Sequence, residues 1–205
     1  MSGSERDRRL AATVAGHRAD PDTARRLLAD PDPTVREAAV GALQRLHALD
    51  AAALDRLLTD PDPRVRIRAV EASIDATEVD VTPLLADDVP RVVEAAAFVL
   101  GERSHDPSPI ALLAGVAAEH ADELCRESAV AALGALGGHP AADHRQVIET
   151  LLGAMADRPA IRRRAVIGLH QFDDPDAVEA VRAALRDRDR QVRAVAGELL
   201  GEAVD

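Results

Sequence analysis

The stretch DPDPTVR at residues 30–36 returns thirty residues later as DPDPRVR at residues 60–66. Each copy is followed by an apolar run, so that a longer alignment pairs DPDPTVREAAVGALQRL (30–46) with DPDPRVRIRAVEASIDA (60–76). Self-similarity at a period of about 20–50 residues is typical of stacked repeat architectures. The repeated corner therefore predicts that the chain is a stack of similar units.

Further copies of the pattern extend along the chain. The apolar anchor that follows each corner occupies six positions: Val35, Val65, Val92, Cys125, Ile161 and Val192. The spacings between successive anchors are 30, 27, 33, 36 and 31 residues. Because stacked units contact only their neighbours, they form one elongated domain, which we expect to cover residues 1–205.

Each unit is predicted to contain two helices. After the anchor Val35, apolar residues follow at offsets 3, 4, 7, 8 and 11, which lie on one face of a helix. Asp32 can cap this helix, and Pro33 suits its first turn, where a missing N–H costs nothing. The Asp-Pro pair also ends the preceding helix, because the residue before a proline avoids the α region. We expect an N-terminal capping helix over 4–17 and six helix pairs near 21–46, 51–75, 80–102, 107–136, 142–171 and 174–203.

The composition narrows the class of protein. Phe98 and Phe172 are the only aromatic residues, so the core must be built from Ala, Val, Leu and Ile. All 25 basic residues are arginines, and the 36 acidic residues give a net charge of −11 at pH 7. This balance disfavours nucleic-acid binding, which depends on neutralising phosphates. A single cysteine, Cys125, excludes an internal disulfide and a cysteine-rich metal site.

The start of the chain contains no apolar segment long enough to direct secretion. No run approaches the about 20 apolar residues that a membrane span requires. We therefore expect a cytoplasmic protein that does not enter a membrane.

The Asp-Pro-x-x-Val-Arg corner and the Ala-Val-x-Ala-Leu run after it resemble the HEAT repeat family, in particular the short bacterial phycobilin-lyase HEAT-like repeats. The resemblance covers about residues 20–203. It implies an all-α fold, a right-handed α-α superhelix in which the second helix of each pair lines the concave face. Because one such fold hosts many functions, the resemblance predicts the fold and leaves the activity open.

An arginine follows the anchor in five of the six copies, and Val93 occupies this position in the remaining one. The five are Arg36, Arg66, Arg126, Arg162 and Arg193. These side chains can form a basic ladder for an anionic ligand, or they can pair with the corner aspartates Asp30, Asp60, Asp87, Asp157 and Asp187. An arginine fork binds both oxygens of a carboxylate, which suits pinning of neighbouring units. In the resembling family the ladder is largely structural, and we favour that interpretation.

The concave surface is the predicted place for a partner. If offsets 0, 3, 4, 7 and 8 are buried, offsets 5 and 6 form an apolar stripe, and a contiguous apolar patch marks an interface. The alternative is that these side chains pack between neighbouring helices. The predicted partner-binding residues are Arg36, Val40, Arg66, Ile67, Val70, Ile74, Glu94, Phe98, Arg126, Val130, Arg162, Arg163, Val166 and Ile167.

Catalytic and metal-binding arrangements are not evident in the sequence. His139 and His144 flank Asp143, but no further ligands follow at a useful spacing. The HEAT-like deoxyhypusine hydroxylases carry His-Glu pairs for iron at the start of inner helices, whereas REAA (36–39) and RESA (126–129) have Arg in place of His. We predict no catalytic residue, no metal and no cofactor.

The function predicted from these features is a non-enzymatic scaffold or adaptor that binds a protein partner, of unknown identity, along the concave face. The alternative is a lyase-like or other enzyme subunit that acts on a chromophore or a modified protein. A third hypothesis, nucleic-acid binding, requires the ladder arginines to be free. The apolar stripe or exposed ends of the stack would also suit self-association.

Overall fold

A computed structural model describes residues 4–103 and 105–202, and within these ranges the chain is helical and contains no β-strand. The α-helices in chain order are α1 Glu5–His17, α2 Pro21–Leu27, α3 Pro33–Arg45, α4 Ala51–Leu58, α5 Pro63–Ala72, α6 Pro90–Glu102, α7 Ile110–Glu119, α8 Glu123–Leu136, α9 His144–Ala154, α10 Pro159–Leu169, α11 Pro175–Ala183 and α12 Arg190–Leu200. Two 3₁₀ helices, Thr82–Ala86 and Ala184–Arg186, complete the described elements. The all-α repeat architecture predicted from the sequence is confirmed.

The helices follow the predicted pairs with one difference. The first helix of the third pair is only the 3₁₀ helix Thr82–Ala86. The anchors Val65 and Val92 are 27 residues apart, three fewer than the anchors Val35 and Val65. The chain between α5 and α6 is therefore too short to form a full α-helix at this position. Residue 203, the predicted end of the last pair, lies outside the described residues.

The repeated corner shapes the chain as its residue types predict. The Asp32 side chain accepts the N–H groups of Thr34 at 2.8 Å and of Val35 at 3.4 Å, and Pro33 is the first residue of α3. Asp62 accepts the N–H of Arg64 at 3.0 Å before α5 in the same way. A cap of this kind stabilises a helix by about 1 kcal/mol.

The described helices form two compact units, Met1–Val99 and Leu100–Asp205, and the boundary between them falls inside α6. In the first unit α1 packs on α3 and α3 packs on α5. Of the first helices, α2 packs on α3 and α4 packs on α5. In the second unit α8 packs on α10 and α10 packs on α12, while α7 and α9 pack on α8 and α10. Each unit therefore has a row of second helices backed by first helices, and one domain over 1–205 stays a prediction.

Small residues allow the second helices to approach one another closely. A Cβ atom built on Gly134 of α8 would lie 3.2 Å from the Cα atom of Gly168 on α10. Gln171 reinforces this contact, because its Nε2 donates to the carbonyl of Gly134 at 2.7 Å and of Gly168 at 2.8 Å. The exposed faces of these helices are thus held in fixed relative positions within the unit.

Candidate interaction surface

Four of the five ladder arginines join the corner of their own repeat to the next corner. Arg36 donates from Nε and Nη2 to the two carboxylate oxygens of Asp60, at 2.8 and 2.6 Å. Its Nη1 donates to the backbone carbonyls of Asp30 and Pro31, at 2.9 and 3.1 Å, which belong to its own corner. The guanidinium group therefore clamps the corner of its own repeat to the corner of the next one.

The same bidentate arrangement recurs in both units. Arg66 binds Asp87 with two contacts of 2.8 Å, and Arg126 binds Asp157 at 2.7 and 3.0 Å. Arg162 binds Asp187 at 2.8 and 2.6 Å. The last arginine of the series, Arg193, donates from Nη1 to the carbonyl of Asp187 at 3.0 Å. Bidentate, charge-assisted hydrogen bonds are the strong ones, and these lie largely away from solvent.

The corner aspartates have a second task besides binding arginine. Oδ1 of Asp60 also accepts the N–H of Asp62 at 2.9 Å, and Asp187 accepts that of Asp189 at 2.7 Å. Hydrogen bonds from Arg162 and Arg126 hold the pKa of Asp187 and Asp157 below the usual value for an aspartate, against the opposing effect of burial. The carboxylates of Asp157 and Asp187 are therefore charged in the folded chain at neutral pH.

Sequence reasoning missed one member of the ladder. Arg8 of α1 donates from Nε and Nη2 to Asp30 at 2.8 and 3.2 Å, and this contact lowers the pKa of Asp30. Helix α1 is therefore the second helix of a partial repeat. The signal was present in the sequence, because Arg8 precedes Arg36 by 28 residues, which is within the range of repeat spacings.

The backbone supports this assignment of α1. Ala19 after α1 and His47 after α3 have φ angles of +54° and +50°, and no other non-glycine residue in the described ranges has a positive φ. Ala19 lies 11 residues after Arg8, and His47 lies 11 residues after Arg36. The same left-handed turn thus ends the second helix in both repeats.

The predicted exposure of four valines is wrong. Val40, Val70, Val130 and Val166, at offset 5, are fully buried. Offsets 0, 4 and 5 are buried in all six second helices, and offsets 7 and 8 are buried in most of them, whereas offset 3, exemplified by Ala38, is only partly buried. The buried arc is rotated because each second helix packs against neighbouring second helices as well as against its own first helix. The alternative, packing between neighbouring helices, describes these four residues.

The arginines of the predicted surface are largely occupied by the ladder. Arg36, Arg66, Arg126 and Arg162 each direct Nε and Nη2 to a carboxylate and Nη1 to backbone carbonyls. Few of their N–H donors are left for a ligand. The hypothesis of nucleic-acid binding required free ladder arginines, so this geometry counts against it.

Among the predicted apolar partner-binding residues of the first unit, Phe98 is the most exposed. Phe98 lies at offset 6 of α6 and is 54% exposed. Ile67 and Ile74, on and just after α5, are partly buried, and Glu94 of α6 is bound to Arg91 at 3.4 Å. The predicted apolar surface is therefore reduced to one large aromatic side chain and two partly covered isoleucines.

In the second unit the accessible member is Ile167. It occupies offset 6 of α10 and is 48% exposed. Next to it on the same helix, Arg164 binds Glu127 of α8 at 3.2 Å, and Arg163 donates to Gln191 of α12 at 2.9 Å. Ile167 is thus flanked by side chains that tie α10 to both neighbouring second helices.

His139 and His144, the two histidines that flank Asp143, lie close together at the start of α9. His144 contacts the carbonyl of His139 through Nε2 at 3.1 Å, and its ring lies 5.8 Å from that of Phe172. Within residues 4–103 and 105–202, no three His, Cys, Asp or Glu side chains are grouped so that they could hold a metal ion.

A comparison with known protein families identifies the repeat. Residues 2–74 and 146–203, more than half of the chain, match the profile of HEAT repeats. The chain belongs to the HEAT repeat family. The unmatched residues 75–145 of this HEAT protein contain the shortened third pair and Val93, and also the fourth repeat with its ladder residue Arg126.

Solved structures share the fold. The complex of CpcE and CpcF of phycocyanin lyase from Nostoc sp. PCC7120 is similar, with a TM-score of 0.62 and 24% identity over 74% of this chain and 99% of that chain. An engineered protein from the Northeast Structural Genomics Consortium gives a TM-score of 0.64 and 21% identity, over 89% of this chain and 97% of that chain. A comparison with curated proteins found no match. None of the helices in the described residues is long and apolar enough to span a membrane.

Proposed function

We propose that this HEAT repeat protein is a non-enzymatic scaffold that binds a protein partner through exposed apolar side chains of its second helices. The observation that carries the proposal is the position of Phe98 and Ile167. Both are large apolar side chains, both lie at offset 6 of a second helix, and about half of each is exposed. Aromatic side chains such as Phe98 are enriched in the cores of protein interfaces, and covering either apolar side chain removes its surface from water.

The exposed area is sufficient to matter for binding. Half of a phenylalanine or isoleucine corresponds to roughly 80–100 Å², which at about 25 cal/mol per Å² amounts to about 2 kcal/mol for each side chain when it is covered. Charged side chains such as Glu94 and Arg163 lie on the same helices and supply a polar rim. An apolar centre with a polar rim is the usual composition of a protein interface.

The ladder supports this function by holding the face rigid. The bidentate contacts between Arg36 and Asp60, and between Arg162 and Asp187, fix the start of each second helix relative to the next repeat of the same unit. A surface that is already ordered loses little conformational entropy when a partner binds. The arginines therefore contribute to binding through the positions of the helices.

The proposal is tested by capture of partners on the tagged full-length chain from a lysate of its native host. Wild type is compared with Phe98→Asp and Ile167→Asp, with each captured protein quantified by mass spectrometry. A matched control is Leu112→Asp on the first helix α7, because Leu112 is 56% exposed and the change is chemically the same. Circular dichroism and melting temperature show whether each variant is folded.

The expected result is one protein that the wild type and Leu112→Asp retain and that Phe98→Asp or Ile167→Asp loses. A loss of about 2 kcal/mol corresponds to an affinity about 30-fold weaker. The proposal fails if folded Phe98→Asp and Ile167→Asp retain every captured protein to the same extent as Leu112→Asp. Visible absorbance of the purified chain would instead indicate a bound chromophore and favour a lyase-like function.

A further inference from the structure

A cleft of about 370 Å³ opens in the first unit between the first helices of two successive repeats. It is lined by α2, by α4 and by residues that flank these helices. The apolar floor consists of Leu28, Leu43, Ala48, Ala53 and Leu57. The charged residues of the lining are Arg25, Arg56, Asp50 and Asp60. A concave, mostly apolar site with a few charged groups at its edge is typical of a small-molecule pocket, and the volume is within the usual range.

The local fold explains why this space is open. Helices α2 and α4 have only 7 and 8 residues, and they pack on second helices, α2 on α1 and α3, and α4 on α5. After α3, His47 takes the left-handed conformation and turns the chain so that Ala48 forms part of the cleft. The space between α2 and α4 therefore reaches down to Leu43 of α3, which closes its floor.

The carboxylates of the lining already have hydrogen-bond donors. Both oxygens of Asp60 are bound by Arg36, and Oδ1 also accepts the N–H of Asp62. Asp50 accepts the N–H of Ala53 at 2.7 Å and caps α4, where the partial positive charge of the helix start offsets its own charge. A cationic ligand would find little free acceptor capacity here.

The two arginines have donors to spare. Among the residues that the structure describes, the ion-pair partner of Arg25 is the exposed Asp22, at 3.0 Å and one helical turn away, an arrangement that contributes little in water. For Arg56, no carboxylate lies within salt-bridge distance in the part of the chain that the structure describes. A guanidinium group offers five N–H donors, so the two side chains leave several available for an anion at the edge of an apolar cleft.

We propose that this cleft binds a small carboxylate with an apolar body. Its carboxylate is bound by Arg25 and Arg56, and its body covers Leu28 and Ala48, which are partly exposed in the lining. The cleft is formed by first helices and does not include Phe98 or Ile167, so this inference is independent of the proposed scaffold function.

The corresponding cleft in the second unit provides an internal control. It measures about 500 Å³, lies between α7 and α9, and is lined by Gln146, Thr150, Glu149 and Asp157 together with small residues. No arginine belongs to its lining. An apolar carboxylate is expected to avoid this cleft, because no arginine lines it to bind the carboxylate group.

The test uses the full-length chain and the probe 4-phenylbutyrate, followed by ¹H–¹⁵N correlation spectra and calorimetry. The neutral 4-phenylbutan-1-ol is the matched probe without a charge. Saturable binding with a dissociation constant of about 1 mM is expected for a ligand of this size. Amide shifts should be confined to α2, α4 and the residues between α3 and α4.

Two variants locate the site. Arg25→Gln combined with Arg56→Gln should weaken phenylbutyrate binding about tenfold and leave binding of the alcohol unchanged, whereas Arg26→Gln on the outside of α2 should change neither. Ala29→Trp, at an exposed position of the lining, fills the cleft and should abolish binding of both probes. This second variant keeps the test valid if the double variant is unstable.

Several outcomes would overturn the inference. These are equal affinity for the acid and the alcohol, unchanged binding to the folded double variant, full binding to folded Ala29→Trp, or shifts that map to the cleft between α7 and α9. A peptide arm, acetyl-Gly-Gly-Leu with a free carboxyl end, distinguishes the source of the ligand: tighter binding than phenylbutyrate assigns the site to a chain end, and weaker binding to a free small molecule. Partner capture through Phe98 and Ile167 is unaffected in either case.

Discussion

The contact between Arg162 and Asp187 allows the contribution of one ladder position to be measured by the change Asp187→Asn. The two side chains are 4% and 12% exposed, and two hydrogen bonds of 2.8 and 2.6 Å join them. Asparagine keeps the size of the side chain and can still accept the N–H of Asp189. It removes the negative charge and leaves the guanidinium of Arg162 buried without its hydrogen-bonded counter-charge.

The expected loss of unfolding free energy is about 3 kcal/mol. Removing one partner of a buried ion pair costs roughly 3–5 kcal/mol, because the remaining charge is desolvated without compensation. The value here lies at the lower end, since Nη1 of Arg162 keeps its bond to the carbonyl of Asp157 at 2.7 Å. For a chain of this length the melting temperature should fall by about 6–12 °C.

Urea and thermal unfolding followed by circular dichroism provide the assay. The control is Asp173→Asn, at an exposed aspartate before α11, which should change the unfolding free energy by no more than about 0.5 kcal/mol. Arg162→Met and the double variant complete a cycle, in which the coupling energy should be about 2 kcal/mol. Additivity of the two single changes within about 0.5 kcal/mol would refute the argument that the pair acts as a unit.

The difference in unfolding free energy between wild type and Asp187→Asn should change with pH in one direction. The hydrogen bond from Arg162 lowers the pKa of Asp187 below its ordinary value of 3.8. A lowered pKa in the folded state means that the stabilisation is complete above the unfolded value and is lost as the pH falls through the folded value. The stability difference between wild type and Asp187→Asn should therefore be constant near neutral pH and shrink below about pH 4. A difference that grows on acidification would contradict this assignment.

Three further substitutions exchange alanine and glycine at positions where the backbone conformation or the surrounding space determines the expected effect. Ala19→Gly should stabilise the chain by about 0.5 kcal/mol in thermal unfolding, because relief of the left-handed conformation at φ +54° exceeds the entropy that glycine adds to the unfolded state; a loss of stability would show that the Cβ of Ala19 makes a contact of greater value. Gly168→Ala should cost about 2 kcal/mol, since its Cβ would lie 2.9 Å from Cδ1 of Leu151 and 3.2 Å from the Cα of Gly134. Gly153→Ala, with nothing within 4 Å of the added Cβ, should instead stabilise α9 by about 0.5–1 kcal/mol, and equal effects of the two changes would contradict the packing argument.

The helices and corners could be predicted from the sequence because their signals are local. Asp32 and Pro33 determine where α3 begins, and Asp62 and Pro63 do the same for α5. Caps and proline act on backbone groups within a few residues, so no knowledge of the tertiary structure is needed. The repeat spacing then extends the same boundaries along the chain.

The face that the second helices bury could not be read from one helix alone. Periodicity indicated an apolar face, but its centre depends on the neighbours on both sides, and these bury Val40 and Val70 at offset 5. The repeated Ala-Val pair at offsets 4 and 5 was the available signal, since a β-branched residue kept at one register position is typical of a packed site. Phe98 and Ile167, at offset 6, are exposed as expected.

In the fourth repeat the two roles of the corner aspartate, accepting a backbone N–H within the corner and binding an arginine, can be considered separately. His120 stands where the other corners have aspartate, and Val93 stands where its arginine partner would be, so neither residue can form the ion pair. The corner is nevertheless kept: Nδ1 of His120 accepts the N–H of Asp122 at 3.1 Å, and Nη1 of Arg126 donates to the carbonyl of His120 at 2.8 Å. Closing the corner therefore requires only an acceptor at this position, whereas pinning the next repeat requires the negative charge. For this reason Asp187→Asn should leave α12 and its cap at Asp189 intact and lower the stability through the lost ion pair alone.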